Sequence, residues 1–320
     1  MKKYILITGG AGFIGSSLIK AIDLSTYNII TIDNFDEFYS YRIKEKNISQ
    51  FNNLIKFHKG DITDSNFLRT IFEKYKIDIV IHLAAKAGVR PSLSDSKGFL
   101  HTNVLGTLQI LEVMREFGLK KIIIASSSSV YGNNIKIPYS ESDNVDNPIS
   151  IYAATKKACE LISYTFHELY KFDVINLRFF TVYGPSQRPD LAIYKFFKNI
   201  YSNEPIDFYG NGDTKRDYTY IDDIVNGIIN SINYLENNSS IYEVLNLGNT
   251  NPVSLKVLTE KIETITGMKF KFNYMPMQMG DVNITYSDIS KAKKLINYNP
   301  NTTIDEGLIK FNEWFKKNNL

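Results

Sequence analysis

A short apolar run, Tyr4–Thr8, breaks directly into Gly9-Gly10-Ala11-Gly12-Phe13-Ile14-Gly15 and then into a helical pattern. That junction constrains the fold more than any other feature of the chain. In a strand–loop–helix unit Gly9 permits the tight turn, Gly12 lets the backbone approach a pyrophosphate, and Gly15 lets helix and strand pack closely. Phe13, Ile14 and Gly15 open the helix, whose free N–H groups and positive dipole end then face that phosphate. A second apolar run, Asn28–Ile32, delivers Asp33-Asn34 eighteen residues beyond Gly15. A carboxylate at that point accepts both ribose hydroxyls and repels a 2′-phosphate, which favours NAD over NADP.

Three further runs, Ile79–Leu83, Lys121–Ala125 and Asp173–Leu177, are also short, β-branched and nearly continuous. Such runs suit strands buried on both faces of a parallel sheet. Helical patterns separate them: Phe13–Ile22, Asn66–Tyr75, Thr102–Phe117 and Tyr152–Tyr170. The alternation predicts an α/β fold, a Rossmann-type doubly wound parallel sheet. Beyond Thr181 the pattern loosens into turn chemistry at Tyr183-Gly184-Pro185, Tyr209-Gly210-Asn211-Gly212 and Asn249–Pro252, and a last helical stretch covers Ile304–Phe315. The expected organisation is a dinucleotide-binding domain over 1–180. Residues 181–320 mainly form a smaller α/β substrate domain over the strand C-termini, with some segments returning to the first domain. Glu236–Ser240 reads as a polar surface loop.

Composition narrows the function. With 43% hydrophobic and 22% charged residues the 320-residue chain can bury a sizeable core. Its net charge of +3 is spread out, so nucleic acid is not an expected partner, whereas an anionic small substrate is. One cysteine, Cys159, excludes an intrachain disulfide and suits a reducing compartment. The four histidines show no ligand spacing and no metal is expected. The N-terminal apolar run is too short for a signal peptide or a membrane span, so the expected location is the cytoplasm.

Tyr152-Ala153-Ala154-Thr155-Lys156 stacks Tyr152 and Lys156 one turn apart on a helix face. A phenol is a poor base at neutral pH, its ordinary pKa being about 10. A neighbouring ammonium and a cationic nicotinamide ring both favour the phenolate, which makes Tyr152 the expected base. The fourth apolar run ends in Ser126-Ser127-Ser128-Ser129-Val130-Tyr131-Gly132. Hydroxyls at the C-terminal end of a parallel strand face the ligand crevice, so one of these serines can bond the reacting oxygen of a substrate.

Together with Asn103 in Asn103-Val104-Leu105-Gly106-Thr107, these features resemble extended short-chain dehydrogenase/reductases. Within them the chain is similar to the NAD-dependent epimerase/dehydratase family, above all to UDP-glucuronate 4-epimerases. The likeness covers nearly the whole chain. It runs through His82–Arg90, Arg178–Pro185, Gln187-Arg188-Pro189-Asp190, Arg216-Asp217-Tyr218, Gly280-Asp281-Val282 and Asp288–Ala292. The resemblance implies Ser127 as the hydroxyl partner of Tyr152, with Lys156 on the nicotinamide ribose. It implies Asp61-Ile62 at the adenine, and Leu83, Ala84, Ala85, Asn103 and Phe180 along the cofactor. Arg216 falls on the UDP, while Ser127, Ser128, Ser129, Thr181 and Arg188 surround the sugar carboxylate. A guanidinium fork suits that last task. A homodimer through the Thr102–Phe117 and Tyr152–Tyr170 helices is implied as well. The chain departs from the family where Met279 stands for a proline and where Asn283-Ile284 replaces a Pro-Arg pair, which bears on the diphosphate contacts.

The expected reaction is oxidation of a UDP-sugar at C4″, turnover of the 4-keto sugar in the pocket, and reduction from the opposite face. A dehydratase or decarboxylase would need a carboxylate just after the catalytic serine, where this chain has Ser128-Ser129. The rivals are a 4-epimerase of UDP-glucose or a UDP-N-acetylhexosamine and, from another class, a non-catalytic nucleotide sensor.

Overall fold

A computed structural model describes residues 2–276 and 282–319. The strands in chain order are β1 (Lys3–Thr8), β2 (Tyr27–Asp33), β3 (Lys56–Lys59), β4 (Ile79–His82), β5 (Lys121–Ser127), β6 (Asp173–Phe179), β7 (Thr181–Tyr183), β8 (Ile206–Tyr209), β9 (Lys215–Tyr220), β10 (Tyr242–Leu247), β11 (Pro252–Ser254) and β12 (Phe272–Met275). Seven of them form one sheet in the order β10-β6-β5-β4-β1-β2-β3, every neighbouring pair parallel. This is the doubly wound arrangement expected. The chain moves outward from β1 through β2 to β3, then crosses back to β4 and continues the other way. The switch point therefore lies between β1 and β4, where such sheets open a crevice at the strand C-termini.

The apolar runs work as strands because alternate side chains enter two separate cores. Ile5 and Ile7 of β1 join Ile29, Ile79, Ile81, Ile123, Ile175 and Leu177 on one face. Leu6 joins Ile30, Val80, Ile122, Ile124 and Val174 on the other. All seven residues of β6 and all four of β4 are buried. Helices cover both faces, so no alternation of polar and apolar residues survives in the sequence.

Two strands of the sheet had no counterpart among the apolar runs. β3 reads Lys-Phe-His-Lys and is only half-buried at the sheet edge, and β10 comes from far along the chain. Helix Ile221–Asn237 lies beside the first helix, Phe13–Ala21. It also takes in Glu236, so only the end of the expected polar loop, Asn238–Ser240, is exposed coil. Helix Gly106–Glu116 is shorter than its pattern because a π-helical turn, Leu100–Leu105, precedes it. The remaining strands form small sheets, β11-β9-β7 and β12-β8, at the C-terminal side. Among the described residues no helix is long and apolar enough to cross a membrane.

Candidate active site

The glycine loop is built from backbone that only glycine tolerates. Gly9 has φ +73°, and a Cβ there would lie 2.8 Å from the Ala84 backbone N and Cα. A Cβ at Gly15 would come within 2.3 Å of the Gly9 carbonyl. Gly12 is different: a Cβ there meets only the Gly9 carbonyl at 3.2 Å, so the loop presents bare backbone to open space. Gly12 caps helix Phe13–Ala21 without a side-chain bond, leaving the first-turn N–H groups directed at that space. Asn47 steadies the loop from below, its Nδ2 donating to the Ala11 carbonyl at 3.0 Å.

The space is a cavity of about 390 Å³ along the strand C-termini. At one end Asp33 accepts from the N–H groups of Ala11 (3.1 Å) and Phe35 (2.9 Å), one on each carboxylate oxygen. Each oxygen retains acceptor capacity, which is what a ribose diol requires. Burial pushes the Asp33 carboxyl up from its ordinary value, and the two N–H bonds and Lys44 oppose this. Asn34 and Ile62 line the same end, and Asn34 holds Asp61 through a 2.8 Å bond from Nδ2. Leu83, Ala84, Ala85 and Phe180 line the middle, below the loop that Gly9, Gly12, Phe13, Ile14 and Gly15 form.

At the other end lie Ser127, Ser128, Ser129, Tyr152, Lys156 and Thr181. β5 carries the serines to its C-terminal tip. Ser127 then caps a 3-10 turn, accepting from the Ser129 N–H at 3.1 Å. Helix Ile151–Tyr170 starts with Ser150 as its cap, which sets Tyr152 in the first turn and Lys156 one turn below. The Lys156 ammonium donates to the Ala125 carbonyl at 2.7 Å, and the Tyr152 ring meets Phe99 edge-on at 6.1 Å.

Three expected site residues stand outside the cavity lining. Asp61 reaches it only through Asn34. Asn103 is buried and braces the wall: its Oδ1 accepts from Lys86 N–H (2.8 Å), and its Nδ2 donates to the Lys86 carbonyl and to Thr155 Oγ1 (both 3.0 Å). Arg216 lies away on β9 and donates to the Val282 carbonyl at 2.7 Å. Of the family departures, Asn283 accepts from the Lys215 N–H and Ile284 bridges to Lys215, whereas Met279 lies outside the described residues.

Arg188 does line the cavity, but its fork is already engaged. Nε and Nη2 meet Asp190 at 3.0 and 2.7 Å, Nη2 also reaches the Ala87 carbonyl at 3.3 Å, and the guanidinium lies over the Phe38 ring. Burial works against its charge, yet Asp190 holds the guanidinium pKa above its ordinary value. The pairing differs from a fork waiting open for a ligand.

Other contributors carried no local signal. Asp36, Phe38, Tyr39 and Lys44 come from the segment after β2 and line the same cavity. Beneath the serines, Ser126 Oγ donates to Glu160 at 2.6 Å, Glu160 receives both arms of Arg178 at 2.9 and 2.8 Å, and Arg178 Nη1 donates to the Tyr131 hydroxyl. His82 is wholly buried between Thr8 Oγ1 (2.8 Å) and Thr107 Oγ1 (3.0 Å). Thr107 spends its proton on the Asn103 carbonyl, so His82 Nε2 carries the N–H and Nδ1 accepts from Thr8. Burial pushes this imidazole down to about 3.

Sheet order, glycine loop at the switch point and a Ser/Tyr/Lys set facing one cavity define a Rossmann-type protein of the short-chain dehydrogenase/reductase kind. A family model described as GDP-mannose 4,6 dehydratase matches residues 6–311. The chain belongs to this NAD-dependent epimerase/dehydratase family. It is 44% identical to a UDP-glucuronate 4-epimerase of Thermodesulfobacterium geofontis, over 98% of this chain and 97% of that one. Among solved structures it resembles the UDP-glucuronic acid 4-epimerase of Bacillus cereus in complex with UDP-glucuronic acid and NAD. The TM-score there is 0.92 and the identity 34%, over 98% of this chain and 99% of that one. The UDP-glucose 4-epimerase of Thermotoga maritima with UDP-glucose is similar at a TM-score of 0.89 and 30% identity, over 98% and 99%.

Proposed function

We propose that this chain is an NAD-dependent UDP-glucuronate 4-epimerase, interconverting UDP-glucuronate and UDP-galacturonate. The observation that carries the reading is one cavity with a glycine loop and Asp33 at one end and Ser127, Tyr152 and Lys156 at the other. The relatives named above, one of them in complex with UDP-glucuronic acid and NAD, support the choice of sugar.

The residues present fit the dinucleotide: bare backbone at Gly12, unpaired helix N–H groups and spare acceptor capacity on Asp33. Gly9, Gly12, Phe13, Ile14 and Gly15 hold its diphosphate, Asp33 and Asn34 its adenosine ribose, and Ile62 with Asp61 the adenine. Leu83, Ala84, Ala85 and Phe180 flank its length, and Asn103 braces the wall. Bound there, NAD supplies a hydride acceptor that becomes the donor in the second half of the cycle. Tyr152 takes the proton of the sugar 4-hydroxyl and returns it after the 4-keto sugar has turned over. Ser127 holds the same oxygen, and the Lys156 ammonium favours the phenolate and engages the nicotinamide ribose.

Oxidation of glucuronate makes a β-keto acid prone to lose CO₂. Ser127, Ser128, Ser129 and Thr181 hold its carboxylate, and Arg188 joins them by exchanging Asp190 for the substrate. Arg216 anchors the UDP. Residues 1–180 form the dinucleotide part and residues 181–320 mainly the sugar-nucleotide part, β10 and helix Ile221–Asn237 being returned to the first. The protein works in the cytoplasm, in keeping with its lone cysteine. It is a homodimer across helices Gly106–Glu116 and Ile151–Tyr170, where Leu161, Tyr164 and Leu169 of the second helix are exposed, as is Leu100 in the π-helical turn before the first.

Incubation with UDP-glucuronate, followed by chromatography of the sugar nucleotide, tests the reading. UDP-galacturonate formed without added NADH is the expected product. A UDP-pentose would instead mean decarboxylation, and turnover of UDP-glucose alone would move the specificity. Tyr152→Phe should abolish turnover and leave NAD bound; retained activity would overturn the base assignment.

A further inference from the structure

Lys44 is an uncommon feature, a lysine 6% exposed inside the wall of a ligand cavity. Helix Tyr41–Ser49 carries it inward, its Nζ donates to the Asp36 carbonyl at 2.6 Å, and the ammonium lies 4.8 Å from the centre of the Tyr39 ring. No carboxylate pairs with it directly within salt-bridge distance among the described residues. Instead it lines the same cavity as Asp33, which is also buried, and the Asp36 carbonyl that holds it stands three residues beyond Asp33.

We propose that Lys44 is a positioning residue for the dinucleotide: its buried ammonium is the counter-charge that keeps Asp33 ionised toward the adenosine ribose. The proposal deepens the NAD reading above and rests on it. Asp33 can accept two ribose hydroxyls only as a carboxylate, because a protonated carboxyl loses one acceptor position and gains a donor. Burial favours the neutral acid, and the two N–H groups on Asp33 are dipoles rather than charges. The groups facing Asp33 and Lys44 are Asp36 and Tyr39 from the loop after β2 and Arg188 from the segment after β7. Asp36 disfavours ionisation of Asp33, and the Arg188 charge is largely answered by Asp190. Lys44 is thus the cation that opposes burial at this end. The mutual influence has the required signs: Lys44 lowers the Asp33 carboxyl, and Asp33 raises the Lys44 ammonium against its own burial.

The test is the rate at which excess NADH displaces NAD from the purified holoenzyme, followed by fluorescence between pH 5 and 8. Wild type should hold NAD until Asp33 protonates on the acid side. Lys44→Met should move that acid limb to higher pH, so that release is faster than wild type at pH 5 and unchanged at pH 8. Lys44→Arg, which keeps the charge, should restore the wild-type profile. In an Asp33→Asn background Lys44→Met should no longer alter the pH dependence. Faster release by the same factor at every pH would make Lys44 a packing residue only and overturn the proposal. A wild-type protein that binds no NAD would fail the earlier reading instead.

Discussion

Glu160→Gln keeps the shape of a buried side chain and removes one charge from beneath the serine loop. Glu160 and Arg178 are each 3% exposed at the side chain and share two bonds of 2.8–2.9 Å. After the substitution one guanidinium arm faces an amide NH₂, and Arg178 keeps only neutral partners, the amide oxygen and the Tyr131 hydroxyl. Breaking a buried pair by removing one partner costs about 3–5 kcal/mol, because the remaining charge stays desolvated. In a chain of this size about 2 °C is lost per kcal/mol, so Tm should fall by about 6–10 °C. Ser126 Oγ–H would also bond a neutral acceptor in place of a carboxylate, which should loosen the tip of β5 and lower kcat with NAD content unchanged. Thermal melts of the holoenzyme and initial rates measure both. The double substitution Glu160→Leu with Arg178→Met removes both charges and should destabilise less than Glu160→Gln alone. A Glu160→Gln protein melting within 2 °C of wild type, or a double variant worse than the single, would refute the argument.

Gly9→Ala forces a Cβ against the Ala84 backbone at a positive φ. It should cost at least about 1–3 kcal/mol and strip the purified protein of dinucleotide, read from its absorbance ratio. His82 is neutral in the folded protein at about 3, below its ordinary 6.5. Between those values the unfolded chain binds the extra proton, so stability present above pH 6.5 is lost as pH falls toward 3. The slope is up to about 1.4 kcal/mol per pH unit, and His82→Asn should flatten the acid side of a Tm–pH profile.

Several contacts show why some of the site was legible in the chain and some was not. The glycine loop, Asp33 and the Tyr152/Lys156 pair are signals carried by neighbours within a turn or a strand–helix junction, so local backbone rules suffice to read them. The pairing of Arg188 was not legible. Its partner Asp190 stands two residues away, but only the fold of the loop that carries both brings the two side chains together. Arg216 carries a family match yet lies off the main cavity.

By itself the order of residues determined five strands of the parallel sheet, the glycine loop and the helix that carries Tyr152 and Lys156. Each depends on hydrophobic period, glycine placement or spacing of one helical turn. Tertiary structure alone decided what surrounds them. β10 joins the sheet because β6 leaves an unpaired parallel edge there, and Glu160 meets Arg178 because helix Ile151–Tyr170 crosses that strand. Lys44 enters the cavity because the segment after β2 folds back over it. Those pairings join residues far apart in sequence, and whether a buried charge finds an opposite one depends on where the crossovers bring the chain.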